Sequence, residues 1–158
     1  MKTSQKGIDL IVSFEGLKLK AYKCPAGVWT IGVGHTAGVT EGMEITIKEA
    51  YKLLRMDLEL FEAAITKYIT VPVNQNQFDA MVSLCFNIGR AAFRTSLVCR
   101  ATNRKSFVEA AEAFGNWRSV GGRPLPGLIR RRAAEKALYE TPPRLPQAME
   151  PPPPPLAG

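Results

Sequence analysis

Residues 14–36 read "FEGLKLKAYKCPAGVWTIGVGHT", and this stretch decides the fold. Within it "LKLKAY" alternates, "CPAG" has the proline and glycine of a turn, and "VWTIGV" is β-branched and aromatic, a pattern that predicts a small hairpin or sheet. No comparable strand signal occurs elsewhere in the chain. Because every other periodic segment is helical, the fold class is α+β and mostly helical, with a small N-terminal sheet and a larger helical part. The same stretch sets Glu15, Cys24 and Thr30 nine and six residues apart.

Working outward, Ile8, Ile11 and Val12 fall at helical spacing, which predicts a short helix from Gly7 to Phe14 stopped by Gly16. Downstream, Thr46 and Glu49 form a capping-box pattern, and Leu54, Leu58, Phe61, Ile65 and Tyr68 recur along one face. That is a long helix suited to joining two lobes. "VNQNQFDAMVSLCFNIGR" offers a cap at Asn74 or Asn76, an apolar run through Phe78, Met81, Val82 and Cys85, and Gly89 as the stop of a core helix. Shorter helices are expected at "SLVCRAT" and "FVEAAEAF", followed by a loop, "GNWRSVGGRPLPG", and a last helix, "LIRRRAAEKALYE". The arginine run 130–132 reads as a solvated helix face with local salt bridges.

The last 18 residues hold 8 of the 12 prolines and almost no core-forming side chains. Such a segment favours polyproline II and cannot pack, so the expected organisation is a domain over residues 1–140 and a proline-rich disordered tail over 141–158. At 158 residues, 46% apolar and 22% charged, the chain has enough core for one domain. No apolar run approaches the roughly 18 residues of a membrane span. Lys2 and Lys6 resemble the start of a signal peptide, but Asp9 and Glu15 interrupt the apolar run after them, so a mature cytoplasmic start is expected. Three cysteines, Cys24, Cys85 and Cys99, lack C-x-x-C spacing and support neither a disulfide framework nor a zinc site. No metal and no cofactor is called for. The net charge of +7 points to an anionic partner, and since Arg144 and Glu150 cancel in the tail it belongs to the domain. Nucleic acid is a poor candidate: the charge is spread along the chain, without a recognition helix or an aromatic-basic RNA motif.

Glu15 follows Ile8, Ile11 and Val12 by seven, four and three residues, which places its carboxylate on the apolar stripe. Desolvation there raises the pKa, as a general acid requires. The competing reading turns it into solvent or pairs it with Lys18 or Lys20. Cys24 reads either as a nucleophilic or basic group or as a small buried hydrophobe. Thr30 is a strand former with a hydroxyl, and His35 a turn histidine. A protonatable Glu, a basic or nucleophilic group and a water-positioning hydroxyl beside a glycine-rich strand fit glycosidic bond hydrolysis.

The order E, eight residues, C, five residues, T in this setting resembles the active-site signature of the phage-type lysozymes, glycoside hydrolase family 24, the endolysins of tailed phages and prophages. "QFDAMVSLCFNIG" resembles that family's central helix, and "WRSVGGRPLPGLIRRRAAEKALY" the closing segment of its lambdoid-phage members, so the resemblance spans roughly residues 7 to 140. It implies a lysozyme-like fold and cleavage of the β-1,4 bond between N-acetylmuramic acid and N-acetylglucosamine in peptidoglycan. It makes Glu15 the acid and Thr30 the residue that helps hold the attacking water. Cys24 stands where the family usually has aspartate, a position whose pattern also admits cysteine. An unperturbed thiol with a pKa near 8.5 is only slightly ionised at pH 7, and Lys23 or His35 is expected to lower that value. Substrate contacts by the same resemblance are Thr36, Phe86 and Ser96, with Gly34 and His35 shaping the cleft floor. The implied biology is a monomer that collects in the host cytoplasm, binds no nucleic acid, does not insert stably in a membrane, and depends on a holin for access to the wall. A non-catalytic peptidoglycan-binding module is the alternative, with Cys24 as its only support.

Overall fold

The structure, a computed structural model, describes residues 1–143 and 152–156. Most of the expected tail therefore lies outside the described residues; residues 152–156 are exposed and in no regular element. Helix α1 runs Gln5–Glu15. It starts before Gly7 because the Ser4 side chain accepts the Gly7 N–H while Ser4 N–H donates to Asp79 Oδ1 at 3.0 Å. Gly16, at φ +79°, ends it as expected. Strands β1 (Lys18–Lys23) and β2 (Trp29–Gly32) form the predicted antiparallel hairpin, with Tyr22 opposite Thr30 and Lys23 opposite Trp29. The turn closes through Cys24 N–H to Val28 O at 3.0 Å and Gly27 N–H to Cys24 O at 2.8 Å.

Helix α2 (Ile47–Tyr68) carries the Thr46–Glu49 capping box. Its 22 residues rise about 33 Å at 1.5 Å per residue. Ala50 packs in a small cluster with Ile31 and Ile45, whereas Leu54, Leu58 and Ile65 belong to the main core, so α2 does join two lobes. Helix α3 (Gln75–Ile88), capped by Asn74, forms the centre of the larger lobe, with Phe78, Met81, Val82 and Cys85 buried. Asn76, the alternative cap, is instead helical and donates to the carbonyls of Thr141 and Pro142 at 3.0 and 3.3 Å. The folded part is thus fastened slightly beyond residue 140.

Helices α4 (Arg90–Thr95), α5 (Leu97–Asn103) and α6 (Phe107–Ala113) come next, then a 3₁₀ turn at Phe114–Asn116. Helix α4 leaves no mark in the sequence pattern, because six residues are too few to show a period. The expected loop "GNWRSVGGRPLPG" contains a second hairpin, β3 (Ser119–Val120) with β4 (Arg123–Pro124), turned by Gly121 and Gly122 at φ +57° and +78°. Helix α7 (Pro126–Glu140) opens on proline and packs mainly on α3. Its arginine run is not the solvated face expected from the sequence. Arg130 is exposed, but Arg131 and Arg132 are 4% and 2% exposed, because they turn inward to a carboxylate on their own helix.

Candidate active site

A cleft of about 560 Å³ opens between the lobes. Its lining gathers Glu15, Gly34, His35, Thr36 and Phe86, five of the residues singled out in the sequence, beside Asp57, Phe61 and Asn87. Glu15 reaches it as the last residue of α1, since Gly16 stops the helix there. Phe86 is half-buried and meets Phe61 edge-on at 5.2 Å, so one face of α3 serves cleft and core together. Ser96 is not part of the lining. It is buried, donates to Phe93 O at 2.7 Å and accepts the Cys99 N–H at 3.1 Å, so its hydroxyl is occupied in capping α5.

The Glu15 carboxylate is 26% exposed and ion-paired with Arg131 Nη1. It therefore sits neither in an apolar pocket nor beside the lysines, Lys20 pairing instead with Glu44 at 3.4 Å. Arg131 is itself held from behind: its Nη2 donates to Ser83 O at 3.2 Å and its Nε to Glu135 Oε2 at 3.3 Å. The Ser83 hydroxyl donates to the same Glu135 oxygen at 2.5 Å, and Arg132 Nη2 donates to Asn87 Oδ1 at 2.8 Å. Arg132 Nε lies 2.8 Å from Glu135 Oε1, yet off-line, so neither atom gains a directed hydrogen bond. Burial pushes the Glu135 carboxyl above the ordinary carboxylate range, and Arg132 and Arg131 pull it back. A buried cluster of two guanidinium groups and one carboxylate thus holds the Glu15 carboxylate at the cleft.

Cys24 and Thr30 lie on the hairpin whose second strand runs directly into the Gly34–Thr36 wall of the cleft. Cys24 is half-buried rather than core. Its thiol pKa is lowered by hydrogen bonds from the backbone at Val28 and Ala26 and, more weakly, from the Thr30 hydroxyl. Lys23 and His35, the groups expected to do this, are engaged elsewhere. Lys23 Nζ sits over the Trp29 ring at 5.4 Å, while His35 contacts Asp57 Oδ2 through Nδ1 at 2.8 Å and Ala37 O through Nε2 at 2.9 Å. Thr30 is buried and donates to Val28 O at 2.9 Å. A hydroxyl has one proton, so swinging it from that carbonyl to the sulfur stabilises a thiolate.

The other two thiols behave in the opposite way. Burial pushes Cys85 up to about 12 and raises Cys99 as well. In the native protein iodoacetamide is therefore expected to modify Cys24 alone, with a reaction midpoint below that of an ordinary thiol and moved upward by Thr30→Val. Mass spectrometry of the labelled peptides reads this; labelling of Cys85 or Cys99 at a similar rate would contradict it.

Asp57, Asn87, Arg131 and Glu135 carry no signal in the sequence that marks them as part of this site. Asp57 meets His35 across 22 residues and Arg131 meets Glu15 across 116, separations that leave no local pattern. Among the described residues no group of three or more His, Cys, Asp or Glu is placed to hold a metal ion.

Comparison with known proteins gives a consistent result. A family model described as phage lysozyme matches residues 12–135. The endolysin of Acyrthosiphon pisum secondary endosymbiont phage 1 is 47% identical over 145 residues, covering 89% of this chain and 99% of the relative. The endolysin of Salmonella phage P22 is 44% identical over 144 residues, covering 88% and 98%. A crystal structure of P22 lysozyme superposes with a TM-score of 0.84, and the muramidase domain of SpmX from Asticcacaulis excentricus, 47% identical, also gives 0.84; each match covers 89% of this chain and 99% of the other.

Proposed function

The chain belongs to the phage lysozyme family, and from that premise we propose how its cleft does its chemistry. It is an endolysin of the muramidase type, which hydrolyses the β-1,4 bond between N-acetylmuramic acid and N-acetylglucosamine in peptidoglycan. Glu15, lining the cleft at the end of α1, donates the proton to the leaving glycosidic oxygen. Cys24 takes the place of the second carboxylate: its thiolate accepts a proton from the attacking water, and the Thr30 hydroxyl helps to hold that water. Gly34, His35, Thr36 and Phe86 contact the saccharide chain.

The observation that carries this reading is the hairpin turn itself, where backbone N–H groups and Thr30 favour the Cys24 thiolate. A base acts only when deprotonated, so it sets the acidic limb of the pH–activity profile. Cys24→Asp is expected to keep activity and move that limb down toward the carboxylate range. Cys24→Ala is expected to lose activity by roughly 10²–10⁴-fold, the usual worth of a positioned acid or base. Full activity of Cys24→Ala with an unchanged profile would remove Cys24 from the mechanism.

Residues 1–143 are the catalytic unit on this reading, the last of them tied down through Asn76. The three free cysteines suit a reducing compartment, which supports collection in the host cytoplasm; on this reading the protein is a monomer and reaches the wall once a holin opens the membrane. No helix among the described residues is long and apolar enough to cross a membrane. The +7 charge suits the anionic wall as its partner.

A further inference from the structure

Asn87 lines the cleft beside Phe86, near the end of α3, and its side chain is exposed. Its Oδ1 accepts from Arg132 Nη2 at 2.8 Å, and Arg132, 2% exposed, lies behind the lining rather than in it. A guanidinium has donors and no acceptor, so the amide can present only its oxygen to Arg132. The buried cation thus fixes which way the Asn87 amide faces. Its Nδ2, which donates to no group among the described residues, is left on the side of the cleft. The positive charge behind the amide also polarises it and strengthens that donor.

The wall around this donor is apolar. Phe86 stands beside it, and Met56, Leu60 and Phe61 of α2 line the same cleft, with Met56 and Leu60 exposed. The carboxylates of the lining are already engaged, Glu15 by Arg131 and Asp57 by His35. A glycan of N-acetylated sugars offers two kinds of acceptor to such a surface. Its hydroxyls both donate and accept, so either end of an amide serves them. An acetamido carbonyl only accepts, and the methyl group attached to it needs apolar neighbours. A pinned donor beside methionine, leucine and phenylalanine matches the acetamido group on both counts.

We propose that Asn87 is a specificity-determining residue: its Nδ2 donates to the carbonyl oxygen of an acetamido group whose methyl meets the apolar wall, so that the cleft selects N-acetylated sugars over sugars with a free amine. The proposal rests on the peptidoglycan reading above and names the substituent that the cleft reads. At about pH 6 a free amine is an ammonium. It brings only donors to a donor, and its charge is stranded against an apolar wall.

The test uses peptidoglycan in three forms at about pH 6: fully acetylated, and de-N-acetylated by an enzyme specific for one or the other sugar of the repeat. The wild type is expected to show a KM about three- to tenfold higher on one of the two deacetylated polymers, the scale of one hydrogen bond, and chemical re-acetylation is expected to restore it. Asn87→Asp keeps an oxygen for Arg132 but has no donor. Its KM on the acetylated polymer is expected to rise by a similar factor, while the preference for acetylated over deacetylated polymer disappears or reverses. Asn87→Gln, which keeps the amide, is expected to retain the preference. A merely structural Asn87 would lower the melting temperature of Asn87→Asp and leave the acetyl preference in place; that outcome, or an equal wild-type KM on all three polymers, would overturn the proposal. Inactivity of the wild type on the fully acetylated polymer would instead overturn the underlying peptidoglycan reading, so the two failures are distinct.

Discussion

Glu15→Gln is expected to abolish clearing of chloroform-treated Gram-negative cells while the protein stays folded. The amide has the size of the carboxylate and still accepts a hydrogen bond from Arg131, but it has no proton to give to a leaving oxygen. Loss of a positioned acid lowers the rate by roughly 10²–10⁴-fold. Stability should change little, because Arg131 keeps Ser83 and Glu135 as partners after the Glu15 charge is gone. Turbidity clearing measured beside a thermal melt separates the two effects. A variant that clears at the wild-type rate would take Glu15 out of catalysis, and a wild type that binds sacculi without clearing them would describe a binding module.

Glu135→Ala is expected to have the largest effect on stability of any single change on α7. The side chain is 0% exposed and supplies the carboxylate for both Arg131 and Arg132. Removing it leaves two buried guanidinium groups with only Glu15, Ser83 and Asn87 as partners, Arg132 losing its one carboxylate, a class of change that costs about 3–5 kcal/mol. For a domain of this size that corresponds to a fall of about 10–15 °C in melting temperature. Glu135→Gln, which can still accept from Ser83 and Arg131, should fall between the variant and the wild type. Lys136→Ala is the control on the neighbouring position: its pair with Glu112 lies at the surface, where exposed ion pairs contribute little, and the melt should hardly move. Equal melting temperatures for Glu135→Ala and Lys136→Ala would show that the buried cluster does not hold the larger lobe together. Because Arg131 carries Glu15, activity measured below the lowered melting temperature should also drop in Glu135→Ala.

Features written in contiguous residues were legible in the sequence. The hairpin showed through its alternation and its Pro-Gly turn, α2 through its capping box and 3.6-residue period, and α3 through Asn74 and Gly89. Glu15, Cys24 and Thr30 stand out as candidates for the same reason, since they fall within 16 consecutive residues. The features that required the structure were either too short or too distant. Helix α4 has six residues and each strand of the second hairpin two, below the length at which a period exists. Arg131 and Arg132 look like a solvated run because three consecutive arginines normally are one. Their burial depends on Glu15, Ser83 and Asn87, which lie 116, 48 and 45 residues away. At Cys24 the cause differs from the one expected: the backbone amides of the turn, rather than the nearby cations, lower its pKa. Ser96 matched a motif position but is consumed as a helix cap.

Hydrolysis falls at the muramic acid side of the glycan bond, and the new chain ends report it directly. Purified peptidoglycan digested by the protein, reduced with borohydride and resolved by mass spectrometry should yield muropeptides ending in reduced N-acetylmuramic acid, with Glu15→Gln yielding none. Products ending in reduced N-acetylglucosamine, or in 1,6-anhydro muramic acid formed without water, would contradict it.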